Sequence, residues 1–312
     1  MLKLESALTF VTVAEAGSIS EAARRLQISK SVASERLSEL EQSLGVTLVH
    51  RSTRKLSLTE DGNIFYQRVK RILHDVADAA AEVSEQRGEL AGPLRISAPV
   101  SFGILHLGPA LYTFLKQHPR IELSLDLDDR FVGPADGFDA IVRHGPLPDN
   151  SSIVNRLALS RRMLVASPDY LKRNGTPRSP AELERHQGII FANRGASDWR
   201  FKKSGRWLNV RPDKIMSVNN GIVMRDAAID GLGIALLASF MVHDALVAGR
   251  LRVVDVGVEA ESGTIFVAHS KDRRVSAKVT AMIASLRTAF GTPPYWDRAL
   301  PRGRNRPSSK HT

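Results

Sequence analysis

The hydrophobic pattern of the first 45 residues predicts three short helices. Apolar side chains recur every three or four residues along 4–16, 22–26 and 32–44, which places them on one face of a helix. Ser18 and Glu21 fit a capping box, in which Ser18 caps the second helix and the Glu21 carboxylate reaches back to the amide of the cap. The positions expected to face the core are Leu4, Leu8, Val11 and Ala14, then Ala22, Ala23 and Leu26, then Val32, Leu37, Leu40 and Leu44.

The short connection between the second and third helices indicates a helix-turn-helix. It consists of Gln27, Ile28 and Ser29; Ser29 is a second N-cap, and Gly45 ends the third helix. Two helices joined by so tight a turn form the unit whose second helix enters the major groove of DNA. Helical hairpins that never touch DNA show the same periodicity, so the two helices alone leave both interpretations open.

Basic residues after this pair favour the nucleic-acid interpretation. The stretches 46–49 and 56–58 alternate like two short strands, and a hairpin with a basic tip suits phosphate contacts beside the groove. The residues expected to hold phosphates are Arg51, Arg54 and Lys55 in the hairpin and Lys30 at the start of the third helix. Arg can bind guanine, Glu can accept from cytosine, and Ser can pair with either partner. The residues expected to read base edges are therefore Ser31, Ser34, Glu35 and Arg36.

A long helix is predicted to begin after Thr59, which caps it, with Glu60 and Asp61 favourable to the helix dipole. Its apolar residues step alternately by four and three, as in the seam of a coiled coil. Packing on its own domain would also explain the seam, but a second copy of the chain is favoured. The seam consists of Phe65, Val69, Ile72, Val76, Ala79 and Val83. Two recognition helices would then lie about 34 Å apart, or a multiple of that distance, on an inverted-repeat site.

Glycine and proline between 88 and 93 end the long helix, and strands then alternate with helices. This order predicts an α/β fold with a largely parallel sheet. The predicted strands are 94–98, 121–127, 138–143, 153–157, 163–167, 188–192, 214–218, 234–237 and 265–268. The predicted helices are 102–117, 221–230, 240–248 and 276–290.

A dense set of residues stands at fixed spacings in the N-terminal segment: Phe10-Val11, Gly17-Ser18-Ile19-Ser20-Glu21-Ala22-Ala23, Leu40-Glu41, Leu44-Gly45-Val46, Leu48, Arg51, Leu58-Thr59 and Gly62. In these residues the chain resembles the winged helix-turn-helix of the LysR-type transcriptional regulators. The resemblance covers nearly the whole chain except the last dozen or so residues. Glu35 departs from the pattern, because related proteins often carry a basic or amide residue there.

The resemblance implies a multidomain fold: an all-α winged helix-turn-helix with a long linker helix that dimerises, then a two-lobed α/β effector domain of the periplasmic-binding-protein type (type II). The expected boundaries are 1–59 for the DNA-binding domain, 60–88 for the linker, 89–300 for the effector domain and 301–312 for a disordered basic tail. Within the effector domain, lobe I is expected at 94–160 and 265–290, and lobe II at 161–264.

The implied function is a sequence-specific regulator that binds double-stranded DNA and responds to a small effector, an organic acid or an aromatic compound. Closure of the two lobes on that effector should reposition the DNA-binding dimers and alter DNA bending, provided the effector binds one arrangement better than the other. The family often builds tetramers, so a homodimer and a homotetramer both stay open. Contact with RNA polymerase is also left open.

Ligands of two-lobed α/β domains tend to bind at the C-terminal ends of strands. Ser101 and Asn219 also stand near helix N-termini, where free amides favour an anion. Helix capping alone would explain these two residues, and Arg143 could simply pair with a nearby carboxylate. The residues expected to contact the effector are Ser101, Phe102, Phe131, Arg143, Asn219 and Asn220. Residues 198–201 are candidates for the rim of the cleft, although Trp199 is expected to be a packing residue.

The composition limits the alternatives. The 312-residue chain has a net charge of +11 and no cysteine, and it lacks a signal peptide or an apolar run long enough to span a bilayer. A location in the cytoplasm is therefore expected. The overall charge does not identify the DNA-binding face, because residues 1–92 contain 12 basic and 13 acidic residues. Residues 24–55 are locally basic, with seven bases against three acids.

The sequence shows no catalytic or metal-binding motif, so no enzyme activity, cofactor or metal is expected. Three alternatives remain: a solute-binding protein that uses the C-terminal cleft, an enzyme of small acids in the same cleft, and an architectural DNA-binding protein without an effector. The presence of a helix-turn-helix and the lack of a signal peptide disfavour a solute-binding protein. The lack of catalytic residues disfavours an enzyme. The third would show no ligand-dependent thermal shift.

Overall fold

The computed structural model describes residues 2–51, 56–85, 90–130, 137–145, 152–194, 198–203, 205–270 and 275–300. The chain forms two compact units, one made mostly of Met1–Pro93 and the other of most of the remaining chain. The predicted tail at 301–312 lies outside the described residues.

The first unit contains four helices and a two-stranded hairpin. The elements are α1 (Leu4–Ala16), α2 (Ile19–Arg25), α3 (Lys30–Leu44), β1 (Val49–Arg51), β2 (Leu56–Leu58) and α4 (Glu60–Glu85). The hydroxyls of Ser18 and Ser29 accept from main-chain amides at the starts of α2 and α3. Gly17 and Gly45 end α1 and α3 in the left-handed conformation, with φ of 62° and 70°. The predicted helix boundaries and caps are therefore confirmed.

Glu21 does not complete the capping box. Its carboxylate instead accepts from Arg24 at 2.8 and 2.9 Å and from Arg25 at 3.1 Å. These two arginines lie three and four positions further along the same helix face, within easy reach of the carboxylate. Their guanidinium groups lower the pKa of Glu21 to about 2.

The buried face of α1 differs from the predicted one. Leu4 and Leu8 are 47% and 43% exposed, whereas Ala7 and Phe10 are buried together with Val11. The helix carries apolar residues on two adjacent faces, so periodicity alone could not choose between them. The core of this unit is completed by Val13, Ala22, Leu37, Leu40, Leu48, Val49 and Val69.

The first strand of the hairpin starts later than predicted. The Glu41 carboxylate accepts from the amides of Leu48 and Val49 at 2.8 and 3.2 Å, and the Thr59 hydroxyl donates to the carbonyl of Thr47 at 2.8 Å. These bonds tie 47–48 to α3 and to the start of α4. Ladder pairing begins only at Val49, which lies opposite Leu58.

The apolar seam of α4 is divided between two environments. Val69 is buried and Phe65 is half-buried, with its ring centroid 5.5 Å from that of Phe10, so both pack on their own unit. Ile72 and Val76 are 53% and 45% exposed, and Ala79 is exposed as well. The side chain of Val83 lies outside the described residues. A second copy is therefore not needed to cover Phe65 and Val69, which corrects the prediction for these two residues.

The second unit begins near β3 and contains two larger sheets. Its strands are β3 (Gly92–Ala98), β4 (Ile121–Leu127), β5 (Ala140–Gly145), β6 (Ser152–Ser160), β7 (Arg162–Ala166), β8 (Gln187–Phe191), β9 (Arg200–Lys203), β10 (Arg206–Asn209), β11 (Asp213–Val218), β12 (Ile234–Ala238), β13 (Arg252–Val253), β14 (Glu259–Ala260) and β15 (Gly263–Ser270). Its helices are α5 (Val100–Phe102), α6 (Gly108–Gln117), α7 (Pro168–Asn174), α8 (Pro180–Leu183), α9 (Gly221–Ile229), α10 (Ser239–Val247) and α11 (Ala277–Phe290). A π-helical segment, Gly103–Leu107, joins α5 to α6.

These strands define the two lobes. Lobe I holds the sheet β4-β3-β5-β15-β6, and lobe II holds the sheet β11-β8-β12-β7-β13 together with the small sheet β10-β9-β14. The chain passes from lobe I to lobe II between β6 and β7 and returns between β14 and β15. Because of these crossings, β15 runs antiparallel to β5 and β6, and β7 runs antiparallel to β12 and β13. Both sheets are therefore mixed, rather than largely parallel as predicted.

The lobe II sheet is covered on both faces. Val165 and Leu237 pack with Met224 on one face, and Leu164 packs with Trp199 on the other. Strands that are buried on both faces have continuous apolar sequences. The sequences of β7 and β12 have this character. Trp199 is a packing residue, as expected.

The segment after α11 connects the lobes a third time. Trp296 is buried, with its ring centroid 5.3 Å from Phe290 and 6.1 Å from Phe102 of lobe I and 6.4 Å from Phe240 of lobe II. Leu300, further along, packs in the lobe II core. The sequence patterns did not predict this connection.

A buried histidine fixes this segment to both lobes. The Tyr295 hydroxyl donates to His106 Nδ1 at 2.5 Å, and His106 Nε2 donates to the Phe240 carbonyl at 2.9 Å. Burial lowers the pKa of His106 to about 4, so the ring is neutral near pH 7 and makes one bond of each kind.

Candidate functional site

The outward face of α3 presents most of the side chains predicted to touch DNA. Lys30, Ser31 and Glu35 are exposed, and Ser34 and Arg36 are half-buried. An exposed polar face on the second helix of a helix-turn-helix is the surface that fits the major groove. Arg51 belongs to β1, but its side chain lies outside the described residues, as do Arg54 and Lys55.

Arg36 has an intramolecular partner that the sequence did not predict. Its Nη2 donates to Glu5 Oε2 of α1 at 2.6 Å. Glu5 is largely exposed, so this ion pair contributes little to stability and can be exchanged for another acceptor. The Ser31 hydroxyl is 2.8 Å from that of Ser29, the cap of α3.

A cavity of about 310 Å³ lies between the two lobes. Its walls come from the start of the helical stretch after β3, from the ends of β5 and β12, and from α9 and α10. The residues that line it are Pro99, Ser101, Phe102, Asp128, Asp129, Arg130, Arg143, His144, Arg162, Phe191, Arg194, Gly221, Met224, Leu236, Leu237, Ala238, Phe240, Met241 and Phe266.

The cavity includes some of the predicted effector residues and not others. Ser101, Phe102 and Arg143 line it, whereas Asn219 and Asn220 do not. Asn220 is the N-cap of α9, and its side-chain Oδ1 accepts from two main-chain amides at the start of that helix. Asn219 is exposed. Capping therefore explains Asn220. Phe131 lies outside the described residues.

Gly221 takes the place predicted for the two asparagines. A Cβ atom at this position would lie 2.5 Å from Met241 Sδ and 3.4 Å from Ser101 Oγ. The absence of a side chain lets α9 approach the lobe I helical stretch closely. This position brings the N-terminus of α9 to the cavity wall.

Arg143 carries a buried cation with unused hydrogen-bonding capacity. Arg143 is only 8% exposed. Its Nη2 donates to Ser97 Oγ at 2.9 Å, and its Nη1 donates to the Val142 carbonyl at 2.7 Å. Its Nε is buried without a partner among the described residues. Burial lowers the pKa of Arg143, and the charges of Asp128 and Asp129 oppose that shift. An arginine nevertheless stays protonated in proteins.

The carboxylates near Arg143 do not form an ion pair with it within the described part of the chain. Asp128 accepts from Arg130 at 2.7 Å, and Asp129 accepts from the amide of Val100 at 3.1 Å. Burial raises the pKa of Asp129, although the bond from Val100 opposes this shift. The alternative in which Arg143 simply pairs with a carboxylate is therefore not favoured.

His144, the next residue of β5, also lines the cavity. Its Nε2 is buried and has no partner among the described residues. Burial and the nearby Arg162 and Arg194 lower the pKa of His144 to about 3. The ring is therefore uncharged near pH 7.

A buried ion pair forms another part of the wall. Arg162 Nη2 lies 2.5 Å from Asp198 Oδ1, and both side chains are almost fully buried. Arg162 Nη1 also donates to the Asp198 carbonyl at 2.9 Å, and Asp198 Oδ2 accepts from the amide of Phe191 at 2.9 Å. The sequence did not point to this pair, because its members are 36 residues apart.

Within the described ranges, no three His, Cys, Asp or Glu side chains are grouped so that they could hold a metal ion. Among the same residues, no helix combines the length and the apolar character needed to cross a membrane.

A helix-turn-helix unit in one chain with a two-lobed domain around a central cavity defines a DNA-binding regulator with a ligand-binding domain. The chain matches the family model of the bacterial regulatory helix-turn-helix protein, lysR family, over residues 4–63, and that of the LysR substrate binding domain over residues 87–291. The protein belongs to the LysR family of transcriptional regulators.

Relatives and solved structures agree with this assignment. The regulator PtxR of Pseudomonas aeruginosa is 31% identical over 298 residues, which cover 94% of this chain and 95% of PtxR. PgrR of Escherichia coli is 35% identical over 254 residues, covering 80% and 85% of the two chains. Full-length AphB of Vibrio cholerae, a virulence activator, matches with a TM-score of 0.61 at 28% identity, covering 91% of this chain and 98% of AphB. CrgA of Neisseria meningitidis matches with a TM-score of 0.56 at 29% identity, covering 92% and 96%.

The resemblance read from the sequence is thereby confirmed. The protein is a LysR-type transcriptional regulator with an N-terminal helix-turn-helix domain and a substrate-binding effector domain. The relatives described above are named as regulators, not as enzymes or transport receptors. Regulators of this family bind DNA and small-molecule effectors and act as oligomers.

Proposed function

We propose that this regulator binds an inverted-repeat operator through two copies of α3 and changes its DNA contacts when a small organic acid, aromatic or otherwise, occupies the cavity between its lobes. It acts in the cytoplasm as a homodimer or homotetramer. Residues 1–59 bind DNA, 60–88 form the dimerising linker and 89–300 respond to the effector. Altered DNA bending then changes the access of RNA polymerase to the promoter.

The exposed face of α3 is the observation that carries the DNA-binding half of this proposal. It combines Lys30, Ser31 and Glu35 in solvent with Arg36 at its margin. The uncovered part of the α4 seam supports the oligomer, because Ile72 and Val76 leave apolar surface that a second copy would bury. Leu4 and Leu8 of α1 add further exposed apolar surface in the same unit.

Arg36→Ala is expected to weaken binding to the operator by about 1–3 kcal/mol while changing binding to random DNA much less. In the complex, the guanidinium would exchange Glu5 for a guanine base. Such a base contact strengthens binding to the operator but not to random DNA. Affinities for the two DNAs at one fixed salt concentration, measured by fluorescence anisotropy, test this.

Glu5→Gln is the matched control for the Arg36 variant. It removes the same ion pair but leaves the guanidinium free, so operator affinity should be kept or increased. An equal loss on operator and random DNA in Arg36→Ala would make Arg36 a phosphate contact and contradict its role in base reading.

The buried guanidinium of Arg143, a residue of the cavity lining, supports an acidic effector. A buried guanidinium without a carboxylate partner favours an anion strongly, because charge-assisted hydrogen bonds are among the strong ones. Ser101 and His144 add neutral polar groups, while Met224, Phe240, Met241 and Phe266 make the remaining wall apolar. Such a cavity fits a compact molecule with one acidic group and an apolar body.

Matched pairs of acid and primary amide, such as benzoate with benzamide and hexanoate with hexanamide, test this effector class. An acid that binds should raise the melting temperature, since a ligand at 100 times its Kd stabilises by about 2.7 kcal/mol, and its amide should not. Arg143→Gln should abolish the shift. Arg185→Gln, a change at an exposed guanidinium outside the cavity lining, should keep it. Equal shifts with acid and amide, or a full shift in Arg143→Gln, would contradict the proposed role of Arg143.

A further inference from the structure

A second basic hairpin lies in lobe II, outside the DNA-binding unit and away from the cavity lining. Strands β9 and β10 pair antiparallel, with Lys203 opposite Arg206 and Lys202 opposite Trp207. Residues 200–211 contain five basic residues and no acidic one. The hairpin resembles the wing of the first unit in its chemistry, because both carry cations on a short two-stranded ribbon.

The two faces of this hairpin differ sharply. Phe201 is buried and Leu208 is half-buried, and both pack in the lobe II core. Lys202 and Trp207 point the opposite way, since successive side chains of a strand alternate between faces. Both are exposed, and Trp207 is 47% exposed despite its size.

The exposed tryptophan organises the cations beside it. The guanidinium of Arg200 lies 4.2 Å from the ring centroid of Trp207, and the Lys202 ammonium lies 5.7 Å from it. Such cation–π contacts hold long side chains in an extended, ordered form at the surface. An ordered guanidinium loses less conformational entropy when it binds an oxyanion.

The positive charge of the hairpin is only partly balanced. Glu261 lies 3.5 Å from Arg200, and Glu259 of β14 pairs in register with Lys202. Lys203 and Arg206 are exposed and have no ion-pair partner within the described part of the chain. A local excess of positive charge therefore remains for a partner that carries several negative charges.

We propose that the exposed surface of this hairpin binds the phosphate backbone of duplex DNA outside the operator half-sites. This surface consists of Arg200, Lys202 and Trp207 on the outward face and of Lys203 and Arg206 at the strand ends beside the turn. The inference rests on DNA binding by this regulator and extends it to lobe II. Cations along an exposed ribbon match a continuous polyanion better than a discrete acidic group.

The test compares two triple variants of the full-length protein with the same net charge. Lys202→Gln, Lys203→Gln and Arg206→Gln together remove cations of the hairpin. Lys172→Gln, Arg250→Gln and Arg252→Gln together remove three exposed cations elsewhere in lobe II. Operator affinity is measured against salt concentration on a fragment limited to the half-sites and on one with long flanks. Melting temperatures confirm that both variants fold.

On the long fragment, the hairpin variant should show a salt slope smaller than that of the control by about 1–3, since each phosphate contact contributes about 0.9. Its affinity should fall at least tenfold there and remain unchanged on the short fragment. Trp207→Ala should reproduce part of this loss.

Equal salt slopes of the two triple variants on the long fragment would overturn the proposal. This is also the result expected if the hairpin binds an acidic protein and not DNA. Failure of the proposed function is distinguishable, because the wild-type protein would then show no preference for the operator over bulk DNA on either fragment.

Discussion

Asp198→Ala is expected to lower the free energy of unfolding of the effector domain by about 3–5 kcal/mol, because it leaves the buried charge of Arg162 without its partner. The pair is desolvated: the side chains of Arg162 and Asp198 are 6% and 1% exposed. The Asp198 carboxylate also accepts from the amide of Phe191, so a second buried donor loses its acceptor. Denaturant unfolding followed by circular dichroism measures the change.

Two comparisons separate the buried charge from other effects of the Asp198 substitution. Glu261→Gln removes a half-exposed carboxylate 3.5 and 3.6 Å from Arg200 and Arg194, and should cost no more than about 1 kcal/mol. Arg162→Met combined with Asp198→Leu removes both charges and should recover part of the loss, because apolar replacements of buried pairs are often tolerated. A loss below about 1 kcal/mol in Asp198→Ala would contradict the importance of this pair.

Trp296→Ala is the second change with a large expected effect, about 3–5 kcal/mol of unfolding free energy. The ring is buried among Phe102 and Phe290 of lobe I and Phe240 of lobe II. Its removal opens a cavity that these rings cannot fill without moving. Because Phe102 and Phe240 also line the cavity between the lobes, the variant should in addition weaken the binding of a ligand in that cavity.

Trp207→Ala provides the matched control for the tryptophan in the core. This ring is exposed and packs mainly against cations, so its loss should change stability by less than about 1 kcal/mol. Similar unfolding midpoints for the two tryptophan variants would show that the segment after α11 does not stabilise the lobes.

Local signals made much of the first unit predictable. Ser18 and Ser29 cap helices and Gly45 ends one, and each effect acts within a few residues along the chain. The buried face of α1 and the division of the α4 seam were not predictable in this way. Both depend on which apolar face the tertiary contacts cover, as the contact of Phe65 with Phe10 shows.

The cavity was predictable only where one general rule applied. Ligands of α/β domains bind near the ends of strands, which led to Ser101 and Arg143. The same rule failed for Asn220, because the start of α9 uses that side chain as its cap. The same strand end as Arg143 also contains His144. The pair of Arg162 with Asp198 gave no local signal, since its members are 36 residues apart in the chain.

We expect an oligomer of this regulator to present two α3 helices to an inverted-repeat site. DNase footprinting of the full-length protein on fragments selected from the source genome, at physiological salt and with the stoichiometry measured in parallel, tests it most directly. We predict two protected half-sites related by a two-fold axis, one or more helical turns apart, with at least two protein chains bound. A monomer that protects no fragment in preference to bulk DNA would contradict the claim.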